Sequence, residues 1–296
     1  MEIGDAMSEF QQQKNVHYFP GHMAKALNAI GPMVKGCDLI VEIADARSPL
    51  STRNPTLDKL INNKPRILLL SKYDKADPNI TKQWIEFYKS QGIISFSSDI
   101  KHQRILDLLI KVSEPLVAKK REKEARIGMK KQPLRLLILG IPNVGKSTFI
   151  NNLAGKKSAK VGNRPGVTRA EQWIKVSNDF VLLDTPGILP MNYPDKDEAI
   201  RLALLGSIKE EVLPLDDLSL RLFSYLKSEY PSCLNERYGI QDISTLEEKD
   251  VFEEICKKRG YLLQGGVADL SKAAQSLIKD LQDGYLGKIS LEKPKC

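Results

Sequence analysis

The chain has 296 residues, of which 42% are hydrophobic and 28% are charged, so it can form a substantial buried core of two domains. Lys and Arg outnumber Asp and Glu by 45 to 37, a net charge of +8 that suits an anionic partner such as a nucleotide or RNA. No apolar run approaches the roughly 18 residues of a membrane span, no signal sequence is evident, and four cysteines and three histidines show no zinc-binding spacing. The composition therefore predicts a cytoplasmic protein with no membrane partner.

Residues 1–15 are polar and Gln-rich, which predicts a mobile N-terminal tail. Short apolar runs bounded by turn residues then predict six strands: Cys37–Ala44, Arg66–Leu70, Gly92–Phe96, Leu134–Leu139, Gln172–Val176 and Phe180–Leu183. Apolar residues at helical spacing predict three intervening helices: Leu57–Asn63, Thr81–Gln91 and Arg104 to about Lys120. This alternation predicts an α/β domain over residues 16–190 with a mostly parallel sheet covered on both faces.

The stretch from Lys119 to Lys131 carries seven basic and two acidic residues. It predicts a solvated connector into the strand at Leu134, with an exposed helix end or a contact with RNA as alternatives. After Pro190 no strand pattern returns, and apolar residues recur at helical spacing. Residues 191–296 are therefore predicted to form a smaller, all-helical domain.

The strongest motif is a GxxxxGKS phosphate-binding loop at residues 140–147, placed between a predicted strand and a predicted helix that ends at Gly155. Its glycines allow backbone N–H groups to surround phosphates, and the helix N-terminus adds partial positive charge. Lys146 would reach the terminal phosphates, and the Ser147 hydroxyl would ligate Mg²⁺. The predicted nucleotide contacts of this loop are Asn143, Val144, Gly145, Lys146, Ser147 and Thr148.

Two further elements follow at distances that suit a nucleotide switch. Asp184 begins a DTPG segment at the end of a predicted strand, where its carboxylate would hold Mg²⁺ through a water and the N–H of Gly187 would sense the terminal phosphate. Thr168, in the RPGVT segment, would ligate the metal only when that phosphate is present. Each segment taken alone is also compatible with an ordinary turn.

The base-reading elements favour guanine over adenine. Ser71, Lys72 and Asp74 follow the strand at residues 66–70 in a pattern that resembles NKxD, in which Asp74 would accept hydrogen bonds from the guanine N1–H and amine while the Lys72 stem covers the ring. Ser97 and Ser98 resemble the last GTPase motif, in which a backbone N–H contacts the guanine oxygen. A surface turn is the alternative for the KxD segment. Both elements precede the phosphate loop, whereas an ordinary GTPase has them after DxxG, so the order is circularly permuted.

With this order, and with PGHMAKA at residues 20–26, DARSP at 45–49, RPGVT and DTPGI, the chain resembles the circularly permuted GTPases of ribosome assembly, and within them the YlqF-type ribosome biogenesis GTPase A family. The resemblance runs from about Tyr18 into the C-terminal region. It implies hydrolysis of GTP to GDP during late maturation of the large ribosomal subunit, stimulated by the precursor particle, and a helical domain that contacts rRNA and not DNA. Because the chain leaves the sheet just after Gly187, movement of that switch is expected to reach the helical domain.

The resemblance also implies roles for individual residues. Ile188 stands where Ras-like enzymes have a water-orienting Gln, so His22 is expected to position the attacking water, with helix capping as its alternative role. Asn143 is expected to help bind K⁺, with a turn-forming role as its alternative. Two positions depart from the family pattern: Ser71 replaces the usual Asn, which predicts weaker base binding, and Ser98 replaces the usual Ala.

The sequence thus predicts a switch enzyme that hydrolyses GTP, in which His22, Lys146 and Thr168 are the catalytic residues. Mg²⁺ would be held by Ser147, Thr168 and, through water, Asp184. Two alternatives remain open: a GTP-gated RNA-binding scaffold whose hydrolysis is incidental, and a GTPase that serves another RNA maturation step. Asp45 and Arg47 belong to the family motif, and a turn at a strand end explains them equally well.

Overall fold

The computed structural model describes residues 21–61, 64–155, 174–183, 189, 195–208, 213–241, 243 and 245–294, with side chains from residue 29 onward. The described residues form two compact units. One contains residues 78–155, 174–183 and 189, together with the chain up to Asp74 and the segment from Glu292. The other contains Lys75–Asp77 and the C-terminal helices up to Leu291. The predicted mobile tail at residues 1–15 lies outside the described residues.

A six-stranded sheet forms the first unit, with the strand order β3-β2-β1-β4-β6-β5. Neighbouring strands are parallel except for β5 and β6, which are antiparallel. The strands are β1 Leu39–Asp45, β2 Arg66–Ser71, β3 Ile94–Ser97, β4 Leu134–Leu139, β5 Ile174–Lys175 and β6 Phe180–Leu183. The strands that carry the base-reading motifs, β2 and β3, precede the strand of the phosphate loop, β4. The predicted mostly parallel, circularly permuted sheet is therefore confirmed.

In the part of this unit that the structure describes, five helices accompany the strands: α1 Gly21–Gly36, α2 Pro55–Ile61, α3 Pro78–Ser90, α4 Leu106–Arg126 and α5 Lys146–Ala154. A short 3₁₀ turn, Tyr73–Lys75, follows β2. The helices α1 and α2 cover one face of the sheet, and the buried side chains of that contact are Ile30, Val34, Cys37, Ile40, Leu57, Ile61, Leu137, Leu139 and Leu183. Every residue of β1 is buried, as expected for a central parallel strand covered on both faces.

The basic stretch at residues 119–131 differs from the predicted connector. Helix α4 continues to Arg126, so the prediction of a connector was wrong for residues 119–126, and the alternative, an exposed helix end, is confirmed. Glu124 lies 3.2 Å from the Lys120 ammonium and 2.6 Å from the Arg121 guanidinium, one helical turn earlier. Such pairs stabilise a helix by about 0.2–0.5 kcal/mol each, which offsets the repulsion among the basic residues.

The second unit contains five described helices: α6 Lys196–Leu204, α7 Leu215–Glu229, α8 Cys233–Tyr238, α9 Glu248–Arg259 and α10 Leu270–Asp283. Helix α10 packs against α7 and α9. The half-exposed Arg237 binds the buried Asp280 carboxylate through two hydrogen bonds of 2.6 and 2.9 Å, and the Tyr238 hydroxyl donates to it at 2.8 Å. A helical C-terminal region is thus confirmed. Among the described helices, none is both long and apolar enough to cross a bilayer.

Candidate functional site: a guanine-nucleotide site

The phosphate loop joins the end of β4 to the start of α5, and its path is set by two glycines. Gly140 has φ +152°, and a Cβ there would lie 2.6 Å from the Ile43 carbonyl oxygen, so the loop passes directly over β1. Gly145 has φ +100° and caps α5 in a conformation that side chains disfavour. The loop therefore presents the N–H groups of the first turn of α5 at the carboxyl end of the sheet, where parallel sheets bind ligands.

The side chains of this loop are arranged as phosphate chemistry requires. Lys146 is buried, and its ammonium donates a hydrogen bond to the Ile141 carbonyl at 2.8 Å, so the cation is held across the loop. Ser147 is exposed at the N-terminus of α5, and Thr148 is half-buried. Asn143 is exposed and has φ +60°, in the left-handed region that Asn tolerates better than most residues. The loop can therefore contact an anion while Ser147 offers a hydroxyl to a metal ion.

Ser71 connects the guanine motif to this loop. Its hydroxyl oxygen lies 2.6 Å from the Val144 carbonyl oxygen and 3.0 Å from that of Ala44. A Cβ on Gly145 would also contact Ser71 and Ile100, within 3.8 Å. The end of β2, the loop after β3 and the phosphate loop therefore meet at Gly145, although Ser71 and Val144 are 73 residues apart in sequence. The short hydroxyl side chain at Ser71 thus tethers the motif to the phosphate loop.

Lys72 is held by a buried carboxylate. Its ammonium lies 3.0 Å from Asp45, which also receives two hydrogen bonds from the Arg47 side chain at 3.0 and 2.8 Å. Burial alone would raise the pKa of Asp45, but the positive charges of Arg47 and Lys72 hold this pKa well below its usual range. Asp45 therefore stays ionised and holds the Lys72 ammonium at the end of β1. The DARSP segment was explained equally well as a family motif and as a turn at a strand end. A turn alone does not account for the ion pair between Asp45 and Lys72.

Asp74 is exposed in the 3₁₀ turn that follows Lys72. Lys72 itself has φ +55°, and this reversal of the chain directs the turn away from β2. An exposed carboxylate at the carboxyl end of a parallel strand can accept two hydrogen bonds from adjacent donors on one ligand. The placement of Asp74 is compatible with the guanine contact that the sequence predicts.

The second base-reading loop follows β3, and one of its N–H groups is already paired within the protein. The Ser98 N–H donates to the Leu70 carbonyl at 3.1 Å, and its hydroxyl donates to Gln103 at 2.9 Å. Because the N–H of Ser98 is bonded within the sheet, a contact with the guanine oxygen at this loop requires another N–H of the same turn. Ser97 ends β3 and is half-buried.

Asn152 was not identified from the sequence, yet it connects the phosphate-loop helix to the base-reading loop. Its side-chain amide donates to the carbonyls of Ile100 and Gln103 at 2.8 and 2.7 Å, and its oxygen accepts from the Ile105 N–H at 3.3 Å. The only sequence signal is an amide side chain in a short helix directly after the phosphate loop.

The remaining predicted site residues lie outside the described residues or are described only by their backbone. His22 is the second residue of α1, and its side chain lies outside the described part of the chain. Thr168, Asp184 and Gly187 fall in the undescribed ranges 156–173 and 184–188. The predicted metal ligands other than Ser147, and the predicted switch contacts, therefore stay predictions.

Most of the chain is similar to known GTPases. Residues 135–228 match the family model described as a 50S ribosome-binding GTPase. The chain is 42% identical to ribosome biogenesis GTPase A of Priestia megaterium over 94% of this chain and 97% of that protein, and 34% identical to the Thermotoga maritima protein of the same name over 94% of each.

Solved structures agree with the sequence relatives. The crystal structure of GNP-bound YlqF from T. maritima is 31% identical, with a TM-score of 0.66 over 92% of this chain and 99% of that chain. The GDP-bound structure of YlqF has a TM-score of 0.64 at the same identity, over 90% of this chain and 99% of that chain. This similarity and the permuted guanine-nucleotide site show that the chain belongs to the ribosome biogenesis GTPase A family, and is a GTPase that acts in ribosome biogenesis.

Proposed function

We propose that this GTPase is a switch in late assembly of the large ribosomal subunit, that it acts in the cytoplasm, and that its partner is the precursor particle with its rRNA. The observation that carries the proposal is the meeting of Ser71, Gly145 and Ile100, which joins a phosphate site to a guanine site in permuted order. The names of the relatives and of the matching family model point to the same partner.

Hydrolysis would proceed by in-line attack of water on the terminal phosphate. The buried Lys146 and the N–H groups at the start of α5 would stabilise the charge that develops on the phosphate oxygens. Ser147 suits a Mg²⁺ ligand because its hydroxyl is exposed at the helix N-terminus, and Thr168 and, through water, Asp184 would complete the site. Bound Mg²⁺ would neutralise charge on the terminal phosphates.

Recovery of the protein together with its bound partner tests the proposal. The protein is bound to a nonhydrolysable GTP analogue, recovered from cells by a tag, and the RNA and proteins that accompany it are identified. We expect a large-subunit precursor with the GTP analogue and much less of it with GDP. Recovery of free protein, or of mature subunits in equal amounts with both nucleotides, would contradict the proposed switch.

His22 is proposed to position the attacking water once a partner orders its segment. The variant His22→Ala should bind GTP as well as the native protein does but should lose at least about a hundredfold in particle-stimulated turnover, the lower end of general-base contributions. His17→Ala is the control, because His17 lies outside the PGHMAKA segment at residues 20–26. Native stimulation of His22→Ala would show that this histidine only caps or packs against α1.

Asn143 is proposed to help bind K⁺, which would supply positive charge near the phosphates. Turnover is compared in KCl and in NaCl at equal ionic strength, for the native protein and for Asn143→Ser. The native protein should be faster in KCl, and the variant should lose that difference. Equal rates of the native protein in both salts would remove the K⁺ site.

A further inference from the structure

Two arginines of the helical unit converge on one carboxylate. Arg237, at the end of α8, donates from Nε and Nη2 to the Asp280 carboxylate at 2.6 and 2.9 Å. Arg259, at the end of α9, lies 3.5 Å from the same carboxylate, and the Tyr238 hydroxyl donates to it at 2.8 Å. Because one negative charge faces two guanidinium groups, the cluster carries an excess of positive charge.

The carboxylate of this cluster is buried, whereas its cations reach the surface. The Asp280 side chain is 8% exposed, and those of Arg237 and Arg259 are 24% and 33% exposed. Among the described residues, the Nη1 group of Arg237 has no hydrogen-bond partner. The Lys258 ammonium is also close, because a Cβ on Gly239 would lie 3.4 Å from it. Asp280 therefore fixes the guanidinium planes and leaves N–H groups that can bind an anion.

An exposed aromatic ring adjoins the same cations. Tyr285 follows α10 and is 59% exposed, and the Arg237 guanidinium lies 4.5 Å from the centre of its ring. A cation at this distance is attracted to the ring face, so Arg237 holds the ring in place. An exposed tyrosine by itself needs no explanation. A ring held by a guanidinium, however, presents a flat surface on which a second planar group can stack.

Single-stranded RNA suits both parts of this surface. Its phosphates accept hydrogen bonds from guanidinium groups, and its unstacked bases stack on aromatic rings and on arginine planes. The bases of a duplex stack on one another and present only their edges, so they cannot cover Tyr285. The carboxylates of an acidic peptide would bind the arginines but would leave the ring unused. The combination of ring and cations therefore favours an unpaired nucleotide.

We propose that Tyr285, Arg237 and Arg259 form a binding site for an unpaired nucleotide of RNA. The base stacks on the ring of Tyr285, and a phosphate of the same strand binds the two arginines. Asp280 is a positioning residue that orients both arginines without touching the RNA. The proposal rests on the proposed function for the source of this RNA, an unpaired segment of rRNA in the precursor particle, and all its residues lie within the helical unit.

Binding of a short RNA to the purified full-length protein tests the site. The probes are an unstructured, fluorescently labelled RNA strand and the same strand annealed to its complement, and Kd is measured between about 50 and 200 mM KCl. Tyr285→Leu removes the ring but keeps an apolar side chain, Tyr285→Phe keeps the ring, and Arg259→Gln removes one cation. Arg237 is left unchanged, because its loss would leave the buried Asp280 without its main partner.

The ring and the cation should have different effects. Tyr285→Leu should weaken binding of the single strand at least about fivefold, the scale of one stacked base, with an unchanged salt slope and a native affinity for the duplex. Tyr285→Phe should bind as the native protein does, since stacking does not need the hydroxyl. Arg259→Gln should reduce the logarithmic salt slope for the single strand by about 0.7, the contribution of one phosphate contact.

Arg221→Gln is the matched control for the charge. Arg221 is exposed on α7 of the same unit and lies 3.7 Å from Asp197, so the variant removes a paired surface arginine away from the cluster. It should keep the native salt slope. Ultraviolet crosslinking with a thiouridine-containing strand locates the contact, and we expect a crosslink at Tyr285 that the excess unlabelled strand removes and an acidic peptide at equal charge does not.

Several results would overturn the site. They are native single-strand affinity in Tyr285→Leu, an equal loss of single-strand and duplex affinity in that variant, an equal change of slope in Arg259→Gln and Arg221→Gln, and removal of the crosslink by the acidic peptide, which would indicate a protein partner. These measurements use RNA alone, so they can fail while the precursor particle is still recovered with the GTP analogue. Loss of the particle with native RNA binding would instead contradict the proposed function.

Discussion

At the scale of single residues, sequence motifs do not show how the buried carboxylates near the nucleotide site are paired, and the structure does. Glu42 and Asp45 lie in the central strand β1, and both are almost wholly buried. Arg53 binds Glu42 at 2.8 and 3.0 Å, and Arg47 and Lys72 bind Asp45. A buried carboxylate is tolerated only when it is paired in this way. The pairs of Asp45 therefore help to position Lys72 of the nucleotide site, whereas the pair of Glu42 neutralises a second buried charge in the same strand.

Removing the Asp45 charge should destabilise the fold. Asp45→Asn removes the negative charge that pairs with the Arg47 guanidinium, which is only 1% exposed. Losing one partner of a buried pair costs about 3–5 kcal/mol. Urea unfolding at pH 7 measures the change, and Asp107→Asn, at an exposed position, should change it by less than about 1 kcal/mol. Equal changes in the two variants would contradict the role given to Asp45.

The same variant carries a pH prediction. Because the pKa of Asp45 is lowered in the folded state, its contribution is complete above the unfolded pKa of about 3.9 and is lost as pH falls toward the folded value. The difference in unfolding free energy between native protein and Asp45→Asn should therefore shrink by up to about 1.4 kcal/mol per pH unit below about pH 3.9. Urea unfolding from pH 5 to pH 2.5 measures it, and a constant difference would refute the shift.

At the scale of elements, the phosphate loop packs directly against β1 at Gly140. The loop can pass over the Ile43 carbonyl only because residue 140 has no Cβ, and Phe149 begins the regular hydrogen bonding of α5 on the Gly145 carbonyl at 2.9 Å. Ser71 and Asn152 then join the loop and its helix to β2 and to the turn after β3. The geometry of the site thus depends on four elements that are distant in sequence.

Gly140→Ala tests this dependence. The added Cβ would meet the Ile43 carbonyl oxygen at 2.6 Å in a backbone conformation that side chains disfavour, so the loop must shift. We expect GDP affinity to fall at least about tenfold and the unfolding free energy to fall by about 1–3 kcal/mol. Calorimetric titration and urea unfolding measure these quantities.

Gly36→Ala is the matched control, because a Cβ at the end of α1 would meet nothing within 4 Å. This control should bind GDP with native affinity. Native GDP affinity in Gly140→Ala would contradict the prediction, because it would show that the loop accommodates a Cβ at residue 140 without moving.

At the scale of the whole molecule, the positive charge is unevenly divided. Residues 206–296 contain 13 Lys plus Arg and 16 Asp plus Glu, whereas residues 1–205 contain 32 and 21. The basic surplus thus belongs to the part of the chain that binds the nucleotide. Any contact of the helical region with RNA therefore has to use a local group of cations, such as Lys257 and Lys258 at the end of α9, both of which are exposed.

Salt dependence tests this local contact. Affinity for the precursor particle is measured between about 50 and 200 mM KCl, because affinity that depends on phosphate contacts falls steeply over this range. The double variant Lys257→Ala and Lys258→Ala should bind more weakly at low salt and should reduce the logarithmic salt slope by about 1–2. The exposed pair Lys82 and Lys89 on α3, changed to Ala, is the control. Equal slopes in both double variants would place the RNA contact elsewhere.

The sequence by itself determined the fold class, the permuted order and the nucleotide chemistry, because these depend on local patterns. Apolar runs gave β4 and β6 with their observed bounds, since a buried parallel strand needs continuous apolar residues. The phosphate loop was identifiable because its glycines and Lys146 are constrained by a turn and a helix start that are close in sequence.

Only the tertiary structure decided how the elements are held together. Helix α4 extends beyond the predicted Lys120 because Glu124 pairs with two cations one turn away, a balance that charge counting does not resolve. The tether of Ser71 to Val144, the Asp45–Lys72 pair and the bond from Asp77 to Ser290 link residues up to 213 positions apart. Such contacts leave no local periodicity in the chain, because each depends on which strand ends and helix ends the fold places side by side.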